Sequence, residues 1–510
     1  MKPESFLRGA AVLTVAGLIV KLLGAFYRIP FTRLVGSEGI GLYQMAYPIY
    51  TALLAVSTAG IPVAVSFMVA EKRAMGDYRG AWGVFSLSFV FLFFTGALMS
   101  LALLLISPYL AREVLGDTRA YYSLMAVAPA VFVISVTSAF RGYFQGCRLM
   151  WPTAISEVVE QVIRVATVLT AAWILIPRGV EYAAAGAAFG TCTGGCASLL
   201  FLLLVLMFIK RREVQTDRQP LQLGEKIKIL KKLILYAFPI SAGSLVLPLA
   251  QVIDTVIIPQ RLQAVGMTMQ EATSQFGQLS GMAGTVVFLP AVFTVSIAMS
   301  LVPHLASYRT NRTEINQRIN SALRITIIIC LPAAAGLMML AAPIMDLLFD
   351  DPGAGPVTAW LAPAALFTGL QQTTAGVLQG LGNTWLPVVN LLVGCLLKGI
   401  CNYYLTVIPG LGIKGAALGS TLSFFVVFLL NLFSIIRLTH YRFPLGCLLR
   451  PLLAVTIMVI IIPAAYNLLI PWGGLAAAGM TIICGAAVYF ATLLVTGEIR
   501  VLKMRYFFRK

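Results

Sequence analysis

The sequence has little charge, little histidine and no long polar region. Only 11% of its 510 residues are charged and 59% are hydrophobic, whereas soluble domains carry about 25% charged residues. It contains two histidines, and no nucleotide-binding glycine loop, HExxH or GxSxG pattern. These absences argue against a soluble protein and against an enzyme, and they indicate a polytopic membrane protein.

The net charge of +18 and the eight cysteines both have plain explanations in such a protein. The positive charge is spread over short loops between apolar runs, as the positive-inside rule expects, so we expect no nucleic acid partner. The cysteines lie mostly within or beside apolar runs and form no CxxC pair. We therefore expect apolar packing residues, without disulfides or a confident metal site.

Apolar stretches of the roughly 20 residues needed to cross a bilayer occur fourteen times. The N-terminus, the even-numbered loops and the C-terminus hold 26 lysines and arginines, and the odd-numbered loops hold 6. Arg141 is counted among the 26, as a loop residue. This asymmetry predicts a multi-pass protein of the bacterial cytoplasmic membrane with both termini in the cytoplasm.

The two halves of the chain resemble each other in the same orientation. The order Gln-Gly, then Pro, then a cation occurs at 145–164 and again at 379–398. Parallel repeats are typical of transporters in which two helical bundles surround a cavity. The predicted parts are an N-lobe at 1–209, a cytoplasmic linker at 210–230, a C-lobe at 231–440, and two helices with a basic tail at 441–510.

Three cations lie in the first apolar run: Lys21, Arg28 and Arg33. A cation at the bilayer centre costs roughly 2.5–3.5 kcal/mol. Lys21 and Arg28 are seven residues apart and share a helix face, and Pro30 should break the helix nearby. The first four predicted helices contain no carboxylate. We interpret Lys21 and Arg28 as lining an anion-binding cavity, with an internal ion pair as the alternative. For Arg33, snorkelling to headgroups is the alternative.

The run SEVVEQVIR places Glu157, Glu160 and Arg164 on one helix face. The spacing of Glu160 and Arg164 predicts an i to i+4 ion pair, and a proton-coupling or substrate-binding role is the alternative. In the second half Lys398 stands at the position of Arg164 without the glutamates. An ion pair with Asp254 is the hypothesis for Lys398, and a coupling-cation site at Asp254 is its rival.

Several motifs carry a family resemblance. They are RGYFQG at 141–146, PTAISEVVEQVIRV at 152–165, VEYAAAGA at 180–187, VGSEGIGLYQMAYPIY at 35–50 and AGIPVAVS at 59–66. Over about residues 5–440 the sequence resembles the stage V sporulation protein B and polysaccharide flippase family of the MOP exporter superfamily. The resemblance implies an all-α fold of about fourteen transmembrane helices. Two parallel six-helix lobes and two C-terminal helices would be arranged as in MATE and MurJ proteins.

The resemblance also implies a function. It points to a flippase that moves an undecaprenyl-diphosphate-linked, lipid II-like peptidoglycan precursor by alternating access, including for spore cortex synthesis. Its partners would be that lipid-linked glycan, the bilayer and cell-wall synthesis proteins. Lys21, Arg28 and Arg33 match basic positions of the family's first helix and would bind the diphosphate. The alternatives are a MATE-like cation-coupled drug exporter and a non-transporting scaffold for cell-wall assembly.

The same resemblance implies no cofactor and leaves Na⁺, H⁺ or the membrane potential as the coupling source. Some relatives hold Na⁺ with polar residues to which Asp254 and Asn390 would correspond, although Lys398 stands nearby on the same predicted helix as Asn390. The sequence also departs from the MurJ type, because Ala52, Leu53 and Thr285 stand where that branch has cavity arginines.

Overall fold

The computed structural model describes residues 6–58, 60–212, 222–307, 312–441 and 446–498. Across these ranges the chain is helical and contains no strand, which confirms the all-α fold. Residues 213–221 of the predicted linker and the basic tail after Glu498 lie outside the described residues.

Nineteen α-helices run through the described ranges. They are α1 Phe6–Phe26, α2 Arg28–Thr58, α3 Ile61–Ala74, α4 Tyr78–Tyr109, α5 Ala120–Gly146, α6 Trp151–Leu175, α7 Val180–Arg212, α8 Leu223–Ala264, α9 Met269–Phe276, α10 Gly284–Val287, α11 Ala291–Ser307, α12 Arg312–Met339, α13 Ala341–Phe349, α14 Gly355–Leu361, α15 Ala364–Gly380, α16 Trp385–Leu405, α17 Ile413–Thr439, α18 Gly446–Leu469 and α19 Gly474–Val495.

The described helices include eleven runs long and apolar enough to cross a membrane. The number is twelve if the bent pair Met269–Val287 and Ala291–Met299 is one span, so the predicted count of fourteen is not confirmed. One reason is that the first two predicted spans form a single run, Ala11–Ala74. Another is that the predicted span at 356–379 is divided at Pro363, which precedes α15 and cannot donate a backbone hydrogen bond.

The run Ala11–Ala74 has 64 residues, which as one straight helix would measure about 96 Å, some three times the hydrocarbon thickness. It bends at Gly36 within α2, where φ is 70° and ψ is −176°. Residues with a Cβ rarely adopt this conformation. A Cβ added at Gly36 would meet nothing within 4 Å, so the position requires glycine for its backbone angles and not for space.

The chain divides into two compact units. The first comprises Met1–Gln260 and Thr268–Gly277, and the second comprises Arg261–Met267 and Gln278–Lys510. The predicted lobe boundaries stay a prediction. In the first unit, α3, α4, α5, α7 and the start of α8 share an apolar core that includes Val65, Phe140 and Leu233. In the second, helices that include α11, α12, α15 and α17 share another.

Helix α9 packs closely on α2 inside the first unit. The hydroxyls of Ser37 and Ser274 are 2.7 Å apart. A Cβ at Gly41 would lie 2.2 Å from the carbonyl oxygen of Thr273, and one at Gly277 would lie 1.9 Å from that of Ser37. The two glycines therefore permit an approach that any larger residue would block.

A buried carboxylate strengthens the same contact. Asp117 is fully buried and accepts a hydrogen bond of 2.7 Å from the Thr273 hydroxyl. It also pairs with Arg119 at 2.9 Å, and Arg119 in turn pairs with Glu38 on α2. On the predicted topology these residues lie on the exterior side.

The second unit contains a buried ion pair at its C-terminal end. Glu498, just after α19, is fully buried and pairs with Arg324 of α12. Arg450 of α18 approaches the same carboxylate at 3.4 Å. One carboxylate therefore connects the end of α19 to two other helices, which makes the charge of Arg324 tolerable inside an apolar helix.

Candidate anion site in the first unit

The three cations of the first apolar run lie in different environments. Lys21 on α1 and Arg33 on α2 are exposed, and Arg28, the first residue of α2, is half-buried. Helix α1 ends at Phe26, because Pro30 lacks the N–H that would bond the Phe26 carbonyl. The break expected near Pro30 is therefore present, and it separates Lys21 and Arg28 onto two helices.

Helix α1 lies against α6, the helix that carries the predicted acidic face. A Cβ added at Gly24 would lie 3.4 Å from the Nε2 atom of Gln161. Gly24 therefore lies beside α6, at a distance where a Cβ would make ordinary contact. The two segments that the sequence singled out for buried charge are neighbours in the structure.

Arg28 is surrounded by tyrosines. Its guanidinium donates a hydrogen bond to Tyr27 and lies near Tyr43 and Tyr47. The Tyr27 and Tyr43 hydroxyls are 3.2 Å apart. The rings of Tyr43 and Tyr47 stack with centroids 5.8 Å apart, and the ring of Tyr50 follows at 5.7 Å from Tyr47. A row of tyrosines therefore extends along α2 from Arg28.

Glu160 lies between two arginines. One carboxylate oxygen accepts a hydrogen bond of 2.5 Å from Arg164, the predicted i to i+4 partner, and the other accepts one of 2.8 Å from Arg141. Arg141 also donates to the hydroxyls of Ser156 at 3.2 Å and Ser198 at 3.0 Å. Arg141 is thus inside the helical unit on α5, which corrects its assignment to a cytoplasmic loop.

The tyrosine row lies near both charged centres, because Arg164, which pairs with Glu160, is close to Tyr43, Tyr47 and Tyr50. We call these residues the arginine–tyrosine cluster. Its members are Arg28, Arg141, Arg164, Glu157, Glu160, Tyr27, Tyr43, Tyr47 and Tyr50. Tyrosines are neutral at pH 7, so the cluster combines three cations with two carboxyl groups in an apolar unit.

Glu157 differs from Glu160 one turn away. It is half-buried and interacts electrostatically with Arg141 and Glu160. Among the side chains that the structure describes, it makes no hydrogen bond or ion pair. Glu157 therefore adds negative charge beside Arg141 without occupying a guanidinium donor.

The sequence reasoning missed Arg141 and the tyrosines. A signal for the tyrosines exists, since Tyr43, Tyr47 and Tyr50 follow the i, i+4, i+7 spacing of one helix face. Arg141 follows the apolar run that ends in Ala139 and Phe140. Its partner Glu160 is 19 residues away on another helix, so no local spacing predicts the pair.

The remaining predicted residues lie on two other helices. Asn390 on α16 is buried and donates a hydrogen bond of 2.8 Å to Asn431. Lys398 is half-buried on α16, and Asp254 is half-buried on α8 in the first unit. The pairing of Asp254 with Lys398 and the Na⁺ site stay predictions. Within the described ranges, no group of three or more His, Cys, Asp or Glu side chains is placed to hold a metal ion.

The sequence matches known proteins over most of its length. The family described as "Polysaccharide biosynthesis protein" matches residues 6–309. Stage V sporulation protein B of Bacillus subtilis is 31% identical over 434 residues, which are 84% of this chain and 83% of that protein. Lipid II flippase MurJ of the same organism is 28% identical over 468 residues, 86% of this chain and 84% of that protein.

Solved structures agree on the fold. Lipid II flippase MurJ in an inward closed conformation has a TM-score of 0.71 at 18% identity, covering 96% of this chain and 100% of that one. An inward-facing MATE family multidrug resistance transporter of the MOP superfamily has a TM-score of 0.68 at 18% identity, covering 82% and 95%. By their names, the MurJ relative is a lipid II flippase and the MATE protein is a transporter. From its sequence matches, the chain belongs to the polysaccharide biosynthesis protein family.

Proposed function

We propose that this chain is a flippase for an undecaprenyl-diphosphate-linked peptidoglycan precursor of the lipid II type. It would translocate that precursor across the bacterial cytoplasmic membrane by alternating access and serve spore cortex synthesis. The observation that carries the proposal is the arginine–tyrosine cluster. Arg28, Arg141 and Arg164 lie in an apolar helical unit, where cations are costly unless they serve binding or an ion pair.

The chemistry of the cluster suits a lipid-linked diphosphate. A guanidinium donates two parallel hydrogen bonds to a phosphate. Arg28 lies among tyrosines, whose hydroxyls are further donors, whereas Arg141 and Arg164 are bound by Glu160. We assign the first contact with the diphosphate to Arg28. The exposed Lys21 and Arg33 would attract the headgroup as it approaches.

The name of one relative supports the substrate class, and the name of another supports the role in sporulation. Lipid II flippase MurJ and stage V sporulation protein B match more than four fifths of this chain. A drug exporter of the MATE type shares the fold, but a site for cationic drugs needs acids facing the ligand. In the cluster one of the two acids is bound by two arginines.

Binding to the purified protein in detergent tests the proposal. Lipid II competes with a polyprenyl lipid that lacks the headgroup and with a cationic dye, and native mass spectrometry counts the bound species. We expect preference for lipid II. Arg28→Ala should weaken that binding roughly 10- to 100-fold, the value of a charge-assisted hydrogen bond.

Two further variants sharpen the result. Arg28→Lys keeps the positive charge but removes the two parallel N–H donors of the guanidinium, so an intermediate affinity for lipid II is expected. Arg112→Ala is the matched control, because Arg112 is an exposed arginine near the end of the helical run Tyr78–Val114 and its partner is the adjacent Glu113. Preference for the dye over lipid II would instead favour an exporter. An equal loss of lipid II binding in the Arg28→Ala and Arg112→Ala variants would show that the cluster is not the binding site.

A further inference from the structure

A second charged region shares no residue with the arginine–tyrosine cluster and lies in the first unit, where two candidate spans meet. The candidate spans Ala11–Ala74 and Tyr78–Val114 are joined there by a three-residue turn, and α8 begins well before its own span at Gly243. Between that turn and α8 the structure contains a cavity of about 390 Å³. We call it the interfacial pocket.

The interfacial pocket is built from three elements. Its walls are Met68, Glu71 and Lys72 of α3, Asp77, Arg79 and Gly80 at the start of α4, and Glu225, Lys228, Ile229 and Lys232 of α8. On α8 these residues follow helical spacing and form one face. On α3 they follow the same i, i+3, i+4 pattern. The pocket is therefore a groove between helix faces.

Ion pairs fix the frame of the pocket. Lys232 of α8 donates to both oxygens of Glu71 on α3, at 2.8 and 3.0 Å, and Lys72 donates to Asp77 at 2.8 Å. These bonds raise the pKa of Lys232 and lower that of Asp77. Each lysine ammonium has three N–H groups and uses only part of them here. The pairs thus hold the walls together and still leave donors for a ligand.

The local charge is positive. The cations on these segments are Lys72, Arg73, Arg79, Lys226, Lys228, Lys231 and Lys232, and the acids are Glu71, Asp77 and Glu225. Lys228 is exposed, lines the pocket and has no hydrogen-bond or ion-pair partner among the described residues. An anion is the ligand that this excess of cations attracts.

Apolar and aromatic side chains lie beside the charge. Met68 and Ile229 line the pocket. Nearby, Phe67 packs edge-on against Tyr236 at 5.4 Å, and Lys232 lies over the Tyr236 ring at 5.6 Å. Tyrosines with a basic neighbour are typical of the membrane–water interface. A free phosphate would use only the charged walls, whereas a phospholipid would use both surfaces.

We propose that the interfacial pocket binds the headgroup phosphate of an anionic phospholipid, with Lys228 and Arg79 as phosphate contacts and the apolar side turned to the acyl chains. The bound lipid would bridge the α3–α4 turn and the start of α8. This site is separate from the arginine–tyrosine cluster, and the proposal does not depend on the identity of the transported substrate.

A matched pair of lysines provides the test. Lys228 lies on the pocket face of α8. Lys226 and Lys231 point roughly 110° away from the middle of that face, one on each side. The purified full-length protein is stripped of lipid and titrated with phosphatidylglycerol or with phosphatidylethanolamine of the same acyl chains. Bound lipid is counted by native mass spectrometry for the wild type, Lys228→Gln and Lys226→Gln.

We expect phosphatidylglycerol to bind in preference to phosphatidylethanolamine. Lys228→Gln should weaken phosphatidylglycerol binding about fivefold, corresponding to about 1 kcal/mol per charge, and Lys226→Gln should change it much less. Unchanged thermal unfolding of both variants shows that the fold is intact. If the two variants weaken phosphatidylglycerol binding equally, the lipid is attracted by diffuse positive charge and not by a defined pocket. Displacement of the lipid by millimolar inorganic phosphate would make the pocket a free-anion site and overturn the lipid assignment.

Discussion

The contact between α2 and α9 should open during transport, and a disulfide across it should stop the cycle. Alternating access requires that contacts closing one side of the site break when that side opens. Here α9 is joined to α2 by the Ser37–Ser274 bond and to the buried Asp117 through Thr273. Breaking one neutral and one charge-assisted hydrogen bond costs roughly 2–4 kcal/mol, an energy that ligand binding can supply.

The change is Ser37→Cys with Ser274→Cys. The two hydroxyl oxygens are 2.7 Å apart, so cysteine sulfurs at these positions would start close to the roughly 2.05 Å separation of a disulfide. Oxidation should cross-link the pair, and lipid II translocation in proteoliposomes should fall in proportion to the cross-linked fraction. Reduction should restore it, because no other group is altered.

Each single cysteine variant, oxidised in the same way, controls for pairing with the native cysteines. Peptide mass spectrometry after digestion identifies the bond between positions 37 and 274. If the pair does not cross-link, the α2–α9 contact is not populated in the membrane. If it cross-links fully and translocation continues at the uncross-linked rate, the contact does not open in the cycle and the reasoning is refuted.

Three further predictions concern stability and are read from thermal or denaturant unfolding in detergent. Gly36→Ala should cost about 1–3 kcal/mol because of its positive φ; an unchanged unfolding midpoint would argue against the bend. Asp77→Ala should cost about 1 kcal/mol, since Asp77 caps α4 by accepting from the Gly80 N–H, and Asn should keep the cap. The hydrogen bond from Lys72 lowers the Asp77 pKa, so the wild type should lose this charge contribution as the pH falls below about 4, whereas Asp77→Asn should show no such loss. Glu498→Gln should cost about 3–5 kcal/mol, because it leaves the arginines around it without their carboxylate; a cost as small as that of an exposed pair would contradict the burial.

The helices could be predicted from the sequence because an apolar run of bilayer length is a local property. Their number could not, because the run through Gly36 is helical on both sides of a kink, and hydropathy does not report backbone angles. At Pro363 the reverse holds, because a stretch predicted as one span is divided into the two short helices α14 and α15. In both cases the decisive quantity is the conformation of one residue.

The same distinction applies to the site. The Glu160–Arg164 pair could be predicted because both residues lie on one helix at fixed spacing. The partners of Arg141 and Arg324 could not, since Glu160 and Glu498 come to them from 19 and 174 residues away. The charge count placed Arg141 in water because it follows an apolar run near a helix end. Tertiary packing instead places its side chain between α5, α6 and α7, against Ser156, Glu160 and Ser198.

Glu160 has a consequence for turnover. Its two oxygens already occupy donors of Arg141 and Arg164. In the proposed function, a diphosphate that reaches these arginines would compete with a carboxylate of the protein itself for those donors. Its affinity would then be lower than the arginines alone would give. Glu160 would return to both guanidinium groups when the diphosphate leaves, so release would not require the cations to be neutralised from outside.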